Sequence, residues 1–261
     1  MSEHLELIRT GRIATLWLNR PDRGNALDAG LMHALMKAAE SVSDDDDLRA
    51  VIVRGRGRHF SVGADLKASQ PAQRPTLQAR RRTAELGARL VRALTEIRQP
   101  TLCAVQGVAH GGGACIATAC DFRIATSDAR IGYGEVKLGI PLMWHALPLC
   151  VRLIGPARAK QMIMSGRAVD AAVLREWGYV DELVAPQDLD ARAHAWAEEY
   201  AALPPVAVQM VKRSVNAVSA AMDCAIMHMD ADQFLLAAGS ADFREGVSAF
   251  LEKREPQFRG D

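Results

Sequence analysis

An α/β fold is predicted for this chain by three observations. Short, almost wholly apolar runs of strand length recur in the first half of the sequence, as at residues 50–53 and 101–107. Segments with helical spacing of apolar residues separate these runs, and this alternation favours parallel strand pairs. With 261 residues, of which 49% are hydrophobic, the chain is long enough for one large domain or for one domain with a small appendage.

The first elements are predicted to be a hairpin and a helix. Residues 5–9 and 13–18 alternate apolar and polar side chains on either side of Thr10-Gly11-Arg12, which is typical of a β-hairpin. Asp28 is expected to cap the next helix, because an aspartate oxygen can accept a free N–H of the first turn. The apolar face of that helix has the spacing expected for burial. Its members are Leu31, Leu35, Ala38, Ala39 and Val42.

Loops and one long helix are predicted between the later strands. A loop follows the strand at 50–53 and extends over residues 55–67. Residues 68–76 contain Gln, Pro and Ser, so we expect a mobile loop there. A single Arg-rich helix is predicted over 77–97, and residues 121–126 form another strand.

From about residue 145 the sequence is mainly helical. Two long amphipathic stretches are predicted over 205–237 and 242–253. One face of the first is too apolar for a free surface helix, so it is expected to pack either against the core or against a sister subunit. That face carries Val208, Val211, Val215, Val218 and Met222.

Composition and charge exclude several classes of function. The net charge is +1 and no basic tail is visible, so we expect no nucleic-acid partner. Neither a signal peptide nor a run of apolar residues long enough for a membrane span is visible, so we expect a cytoplasmic protein. The five cysteines lack a C-x-x-C pair and are expected to be free thiols. No H-E-x-x-H motif or spaced Cys/His set occurs, so no metal is expected.

Three consecutive glycines in His110-Gly111-Gly112-Gly113 indicate a position where a ligand or another segment needs a backbone without side chains. A dinucleotide site at 55–60 is disfavoured, because Phe60 stands where the third glycine of G-x-G-x-x-G belongs. A serine hydrolase is disfavoured because no G-x-S-x-G motif follows. The start of a helix offers unpaired N–H groups, and a second loop at 61–66 also follows a strand. Two such N–H groups could bind one oxygen, as in an oxyanion hole.

Seven segments in succession, spanning nearly the whole chain, carry a wider similarity: NRPDRGNAL (19–27), HFSVGADLK (59–67), VQGVAHGGG (105–113), CDFRIAT (120–126), IGYGEVKLGIP (131–141), MSGRAVDAAVLREWGYVDELV (164–184) and DFREGVSAFLEKREPQF (242–258). Together they resemble the crotonase superfamily, also called the enoyl-CoA hydratase/isomerase family. The resemblance implies a core of ββα units with the CoA and oxyanion site over residues 1–190. It also implies a helical trimerisation region over 191–261 that covers the active site, in a homotrimer or a dimer of trimers.

The resemblance also implies roles for individual residues. The N–H groups of Ala64 and Gly112 match those that bind the oxygen of an acyl-CoA thioester in the family, and Glu135 matches a catalytic glutamate. Coenzyme A is then part of the substrate, and no permanently bound cofactor is expected. Contacts to CoA are implied for Arg23, Ala26, Leu27, Ala64, Asp65, Leu66 and Lys67, and, toward a neighbouring subunit's CoA, for Phe250 and Lys253.

One departure from the family pattern bears on the reaction. Typical hydratases of the family carry two glutamates, and the first of them is Cys115 here. Hydration needs one group to orient water at C3 and another to deliver a proton to C2, whereas moving a double bond from C3 to C2 needs a single base. Glu135 alone therefore favours an isomerase-like enzyme or a weak hydratase. Cys115 itself is either a small buried filler or a reactive thiol whose pKa is lowered by the helix N-terminus.

A second departure concerns the acyl pocket. The segment 142–147 is bulky where relatives have a glycine-rich turn, so Trp144 and His145 are expected to narrow the pocket, with the helix at 77–97 as its outer wall. His145 is either a second acid–base group or a structural residue. Two other functions stay open on the same scaffold: a non-catalytic acyl-CoA-binding protein, and a CoA hydrolase or lyase.

Overall fold

The structure is a computed structural model that describes residues 3–66 and 75–261. Within these ranges the strands are β1 (Leu5–Thr10), β2 (Ile13–Leu18), β3 (Ala50–Gly55), β4 (Thr101–Val105), β5 (Val108–His110), β6 (Phe122–Thr126), β7 (Arg130–Gly132), β8 (Val169–Asp170) and β9 (Glu182–Val184). The helices are α1 (Ala29–Ser43), α2 (Leu77–Ala84), α3 (Leu86–Thr95), α4 (Gly112–Ala119), α5 (Ala146–Ser165), α6 (Ala171–Trp177), α7 (Leu189–Ala201), α8 (Pro205–Ser219), α9 (Cys224–Met227), α10 (Asp230–Ala237) and α11 (Ala241–Glu252). Three short 3₁₀ helices are η1 (Pro21–Arg23), η2 (Glu135–Leu138) and η3 (Pro186–Asp188).

The strands form two sheets, and the predicted α/β class is confirmed. The larger sheet has the order β1-β2-β3-β4-β6-β9, and every pair after the β1–β2 hairpin is parallel. The smaller sheet has the order β5-β7-β8. Strands β3 and β4 are buried along their whole length, which explains why they read as continuous apolar runs in the sequence.

The predicted hairpin and first helix are confirmed. Gly11 has a φ of +58°, which suits the tight turn between β1 and β2. A side-chain oxygen of Asp28 accepts the Leu31 N–H at 2.8 Å and caps α1. All five side chains predicted for the apolar face of α1 are buried.

Two predicted long helices are interrupted. The helix expected over 77–97 is α2 and α3, which meet at Glu85, because α2 packs on α10 whereas α3 packs on α1 and α4. The helix expected over 205–237 is α8, α9 and α10. Its breaks turn two acidic side chains inward: Asp223 pairs with Arg152 of α5, and Asp230 binds the loop before α5. The short strands β5, β7, β8 and β9 were not predicted. Residues 68–74 of the expected mobile loop lie outside the described residues.

Helix α8 is held to the protein by polar side chains, whereas most of the apolar face predicted for it is exposed. The Lys212 ammonium lies 2.6 Å from the Asp121 carboxylate and donates to the Gln99 carbonyl at 2.9 Å. Val211 and Val218 are 63% and 80% exposed. The expectation that this face packs against the core is therefore wrong for most of its residues, which are exposed, whereas Val208 is half-buried. Packing against a sister subunit stays a prediction.

Helix α7 lies against the larger sheet and crosses the predicted boundary at residues 190/191. Its buried side chains pack on the sheet in a second core, with Ile13, Ile52 and Leu102 among the sheet's contributions. The division into a core and a helical C-terminal region stays a prediction, with α7 joining the two. No helix among the described residues combines the length and apolarity needed to cross a lipid bilayer.

Candidate active site

Each glycine of the triple-glycine turn is required for a different reason. Gly111, between β5 and α4, has φ +52° and ψ −122°, a conformation that L-residues with side chains rarely adopt. A Cβ added at Gly112 would lie 2.5 Å from the Trp144 ring and 3.0 Å from Leu27 Cδ1. A Cβ added at Gly113 would overlap the Ser61 carbonyl oxygen. The bare backbone therefore permits both a special turn and close packing of its neighbours.

The loop after β3 packs directly against this turn. The His110 N–H donates to the Ser61 carbonyl at 2.9 Å, and Gly63 has φ +97°. A Cβ added at Gly63 would lie 2.7 Å from the His110 carbonyl oxygen and 3.5 Å from the Gly112 nitrogen. The two segments that the sequence singled out thus meet at Gly63 and Gly112.

Two backbone donors are left over where the segments meet. Leu27 donates to the Gly63 carbonyl at 2.8 Å and accepts from the Asp65 N–H at 3.0 Å, so the Ala64 N–H, between them, faces away from Leu27. Gly112 is the first residue of α4, where N–H groups have no partner within the helix. In the described part of the chain, neither the Ala64 nor the Gly112 N–H donates a hydrogen bond to the protein. Both are free to bind an oxygen atom of a ligand.

The Glu135 carboxyl group lies beside the same turn. A Cβ added at Gly111 would be 3.3 Å from Glu135 Oε1 and 4.0 Å from the Gly63 Cα. The other carboxyl oxygen, Oε2, is buried and has no hydrogen-bond partner among the described residues. Burial raises the pKa of Glu135 from its ordinary value of 4.5 to about 7, although backbone groups of Glu135 and Gly134 oppose the shift. At neutral pH the group can therefore both accept and donate a proton.

Helix α11 supports the turn that carries Glu135. Glu135 begins η2, which ends at Gly139 with φ +72°. A Cβ added at Gly246 of α11 would lie 2.8 Å from the Leu138 Cα, so helix and turn are in direct backbone contact. The C-terminal part of the chain thereby fixes the position of the carboxyl group.

The structure decides between the two alternatives for Cys115. The residue is 1% exposed, and its N–H donates to the Gly111 carbonyl at 3.0 Å within the first turn of α4. Burial, and after it the nearby charge of Glu135, raises the pKa of the Cys115 thiol well above its ordinary value. The alternative of a thiol activated by the helix N-terminus is contradicted, because desolvation outweighs the helix dipole there. Cys115 is a buried, protonated filler.

Trp144 and His145 lie in the loop before α5, and their role as pocket residues stays a prediction. Trp144 is buried, and its indole lies between Gly87 of α3 and Gly112 of α4. His145 is half-buried, and burial lowers the pKa of its imidazole, so the ring is neutral at pH 7. The role of His145 as an acid–base group stays untested.

A polar network that the sequence analysis missed holds the loop between β2 and α1 in place. Arg20 forms ion pairs at 3.1 Å with both Asp28 and Asp65. Asn25 is fully buried with φ +56°, and its side-chain amide donates to the Arg56 and His59 carbonyls at 2.8 Å. These bonds tie the segment around residue 25 to the loop that presents Ala64. The sequence gives no direct sign of this network, because the burial of Asn25 is evident only in the structure.

The residues with implied CoA contacts lie in different environments. Those near the oxyanion donors are buried or half-buried, except for Ala64 and Arg23, which are exposed. The buried or half-buried residues are Ala26, Leu27, Asp65 and Leu66. Lys67 lies outside the described residues. Phe250 and Lys253, at the end of α11, are exposed, and Lys253 has φ +56°. The structure thus brings the first group to one region, and a neighbouring subunit is needed to test the second.

The described residues hold no group of three or more His, Cys, Asp or Glu side chains arranged to bind a metal ion. Four cysteine side chains are described, and each is buried and free: Cys103, Cys115, Cys120 and Cys150.

Comparisons with known proteins point to one family over nearly the whole chain. A family model described as "Enoyl-CoA hydratase/isomerase" matches residues 9–261. A probable enoyl-CoA hydratase of Mycobacterium bovis is 35% identical over 251 residues, covering 96% of this chain and 95% of the relative. A 1,2-epoxyphenylacetyl-CoA isomerase of Escherichia coli is 33% identical over 253 residues, covering 95% of each chain. Among solved structures, an enoyl-CoA hydratase/isomerase from Xanthobacter autotrophicus superimposes with a TM-score of 0.89 at 30% identity, covering 100% of both chains.

Proposed function

Because the chain belongs to the enoyl-CoA hydratase/isomerase family, we propose that it is an acyl-CoA enzyme that stabilises a thioester enolate between two backbone N–H groups. The donors are those of Ala64 and Gly112, and Glu135 carries the proton. The observation that carries this proposal is the meeting of two free N–H groups with one buried carboxyl group of raised pKa.

The two donors act on the charge that develops on the thioester oxygen. Removing a proton from C2 moves an electron pair toward the carbonyl, and negative charge accumulates on its oxygen. Two fixed donors stabilise that charge without reorganisation, and losing one such donor costs about 2.7–4 kcal/mol in comparable sites. The Glu135 carboxylate accepts the C2 proton, and the carboxylic acid so formed returns it.

The reaction that best fits a single carboxyl group is the shift of a double bond. For a 3-enoyl-CoA, Glu135 removes the C2 proton, the electron pair is delocalised from the oxygen to C4, and protonation at C4 leaves the 2-enoyl product. Hydration of that product needs a second group to orient water at C3. The Cys115 thiol is buried and protonated, so it does not take that role. We therefore infer an isomerase-like enzyme or a weak hydratase.

Turnover of two substrate classes tests the proposal. Purified protein is incubated with a 2-enoyl-CoA and with a 3-enoyl-CoA, and the products are separated by chromatography, with Glu135→Gln as the control. Faster conversion of the 3-enoyl-CoA, lost in the variant, supports the proposal. Binding of acyl-CoA without turnover identifies a binding protein instead. Release of free CoA from a 3-hydroxyacyl-CoA or β-ketoacyl-CoA identifies a hydrolase or lyase.

A homotrimer, or a dimer of trimers, is part of the same proposal. The outward-facing valines of α8 and the exposed Phe250 and Lys253 are the features that support an interface. Light scattering coupled to size-exclusion chromatography gives the mass directly. A monomer at micromolar concentration would contradict both the assembly and the contact of Phe250 with a neighbouring subunit's CoA.

A further inference from the structure

The Trp144 indole occupies the space directly beside one of the proposed oxyanion donors. Its Cη2 and Cζ3 atoms lie 2.5 Å from the position of a Cβ at Gly112, and its five-membered edge fills the position of a Cβ at Gly87. Leu27 Cδ1 lies 3.0 Å from the same Cβ position at Gly112. Trp144 is only 9% exposed, so its ring forms a wall between α3 and α4 and is not a surface side chain.

The backbone that presents this ring is in an unusual conformation. Trp144 and His145 have φ values of +67° and +60°, in the left-handed region that bulky residues avoid. Two such residues in succession persist only where surrounding contacts enforce them, and such strain concentrates at functional sites. The orientation of the indole is therefore imposed from outside the loop.

The contact that imposes it comes from the first residue of α10. Asp230 Oδ2 accepts the Trp144 N–H at 2.6 Å and the His145 N–H at 3.3 Å. Both strained residues are held by one carboxylate, which lies 85 or more residues away in the sequence. Helix α10 also packs on α2, and this contact holds the helix that carries Asp230 in place.

We propose that Trp144 is a specificity-determining residue that ends the acyl pocket and restricts the enzyme to short acyl groups. Asp230 is the positioning residue that holds it there. The proposal rests on the function proposed above. An acyl chain whose carbonyl is bound at the Gly112 N–H has the indole within van der Waals reach of its next carbons, because the ring contacts Gly112 itself. A long straight chain then has to displace a buried ring that is wedged between two helices.

Binding of saturated acyl-CoA thioesters tests this without turnover. The dissociation constants of butyryl-, octanoyl- and dodecanoyl-CoA are measured by calorimetry for the wild type, Trp144→Ala and Trp144→Phe. We expect the wild type to favour butyryl-CoA. In Trp144→Ala the ratio of octanoyl to butyryl dissociation constants falls by roughly tenfold or more, since a single methylene in a tight pocket changes affinity by that order. Trp144→Phe is expected to be intermediate.

Two Asp230 variants separate positioning from folding. Asp230→Ala removes the acceptor of both hydrogen bonds and is expected to shift the chain-length ratio in the same direction as Trp144→Ala. Asp230→Asn keeps an acceptor oxygen and should restore a ratio close to the wild type. Met143→Ala, which truncates a buried neighbour in the same loop, is the matched control and should leave the ratio unchanged. A variant that only loosens the loop would weaken the binding of all three thioesters by a similar factor.

The outcomes distinguish the inference from the function on which it rests. Equal chain-length ratios in the wild type, Trp144→Phe and Asp230→Ala would overturn the inference while leaving an acyl-CoA enzyme in place. A wild type that already favours dodecanoyl-CoA would also overturn it. A wild type that binds none of the three thioesters would remove the proposed function, and the inference with it.

Discussion

Replacing Glu135 by glutamine changes both the activity and the pH dependence of stability, and the size of the second effect follows from the structure. Burial of Glu135 raises its pKa from 4.5 to about 7. Each tenfold change in proton affinity corresponds to about 1.36 kcal/mol, so the ionised carboxylate destabilises the folded state by about 3 kcal/mol. Glutamine has almost the same shape and carries no charge at any pH.

The sign of the effect is fixed by which state binds the proton. Between pH 4.5 and 7 the unfolded chain has released the Glu135 proton whereas the folded chain still holds it. The stabilisation that protonated Glu135 gives to the folded state is therefore lost as the pH rises through that window. Above about pH 7 the free energy of unfolding changes no further on account of this group. From pH 5 to pH 8 the free energy of unfolding of the wild type should fall by about 2.5 kcal/mol more than that of Glu135→Gln.

Urea unfolding of both proteins at the two pH values measures this difference, provided that the denaturant dependence is the same for both. In parallel, kcat on the preferred enoyl-CoA should fall by about 10²–10⁴ in the variant, the usual contribution of general acid–base catalysis. The wild-type kcat/KM should rise with pH to a plateau above about pH 7, where the base is ionised. Parallel stability curves for the two proteins, or an active variant, would refute the reasoning.

Three further predictions address the backbone donors, the loop network and the thiols. Gly112→Ala places a Cβ 2.5 Å from the Trp144 ring and so should displace the Gly112 N–H. We expect kcat/KM to fall by about 10²–10³, and a variant with normal kinetics would contradict the need for a bare backbone at this donor. Asn25→Ala leaves two backbone carbonyls unpaired in a buried site and should lower the free energy of unfolding by about 2–4 kcal/mol. Chemical denaturation checks this, and a loss below about 0.5 kcal/mol, the level of a neutral surface change, would count against the network. In a Cys224→Ser variant the four remaining buried cysteines should react with a thiol reagent only after unfolding, and a fast-reacting thiol in the native protein would contradict the high pKa of Cys115.

Local features of the fold could be predicted from the sequence. The hairpin, the cap at Asp28 and the buried strands β3 and β4 depend on turn residues, one side-chain oxygen and continuous apolar runs, all within a few neighbouring positions. The same holds for the start of α4 at Gly112, because glycine conformational freedom is a local property. The site residues were placed by their resemblance to a family rather than by spacing.

Other features escaped prediction because their causes lie far away along the chain. The division of 77–97 into two helices depends on which helices α2 and α3 contact. The placement of α8 depends on Lys212 reaching Asp121, and hydrophobic periodicity alone gave no sign that its valines would be exposed. Likewise, the pKa of Cys115 is set by complete burial, which outweighs the helix terminus that suggested a reactive thiol.

The sequence by itself determined that the chain has parallel strands, where a bare backbone is required, and which carboxyl group follows it in the family pattern. Only the tertiary structure decided that Gly63 and Gly112 meet, that Glu135 lies buried beside them, and that Asp230 holds Trp144 against Gly112. The physical reason is the range of the interactions. Backbone conformation and amphipathicity act over a few residues, whereas desolvation and side-chain contacts depend on which distant segments pack together.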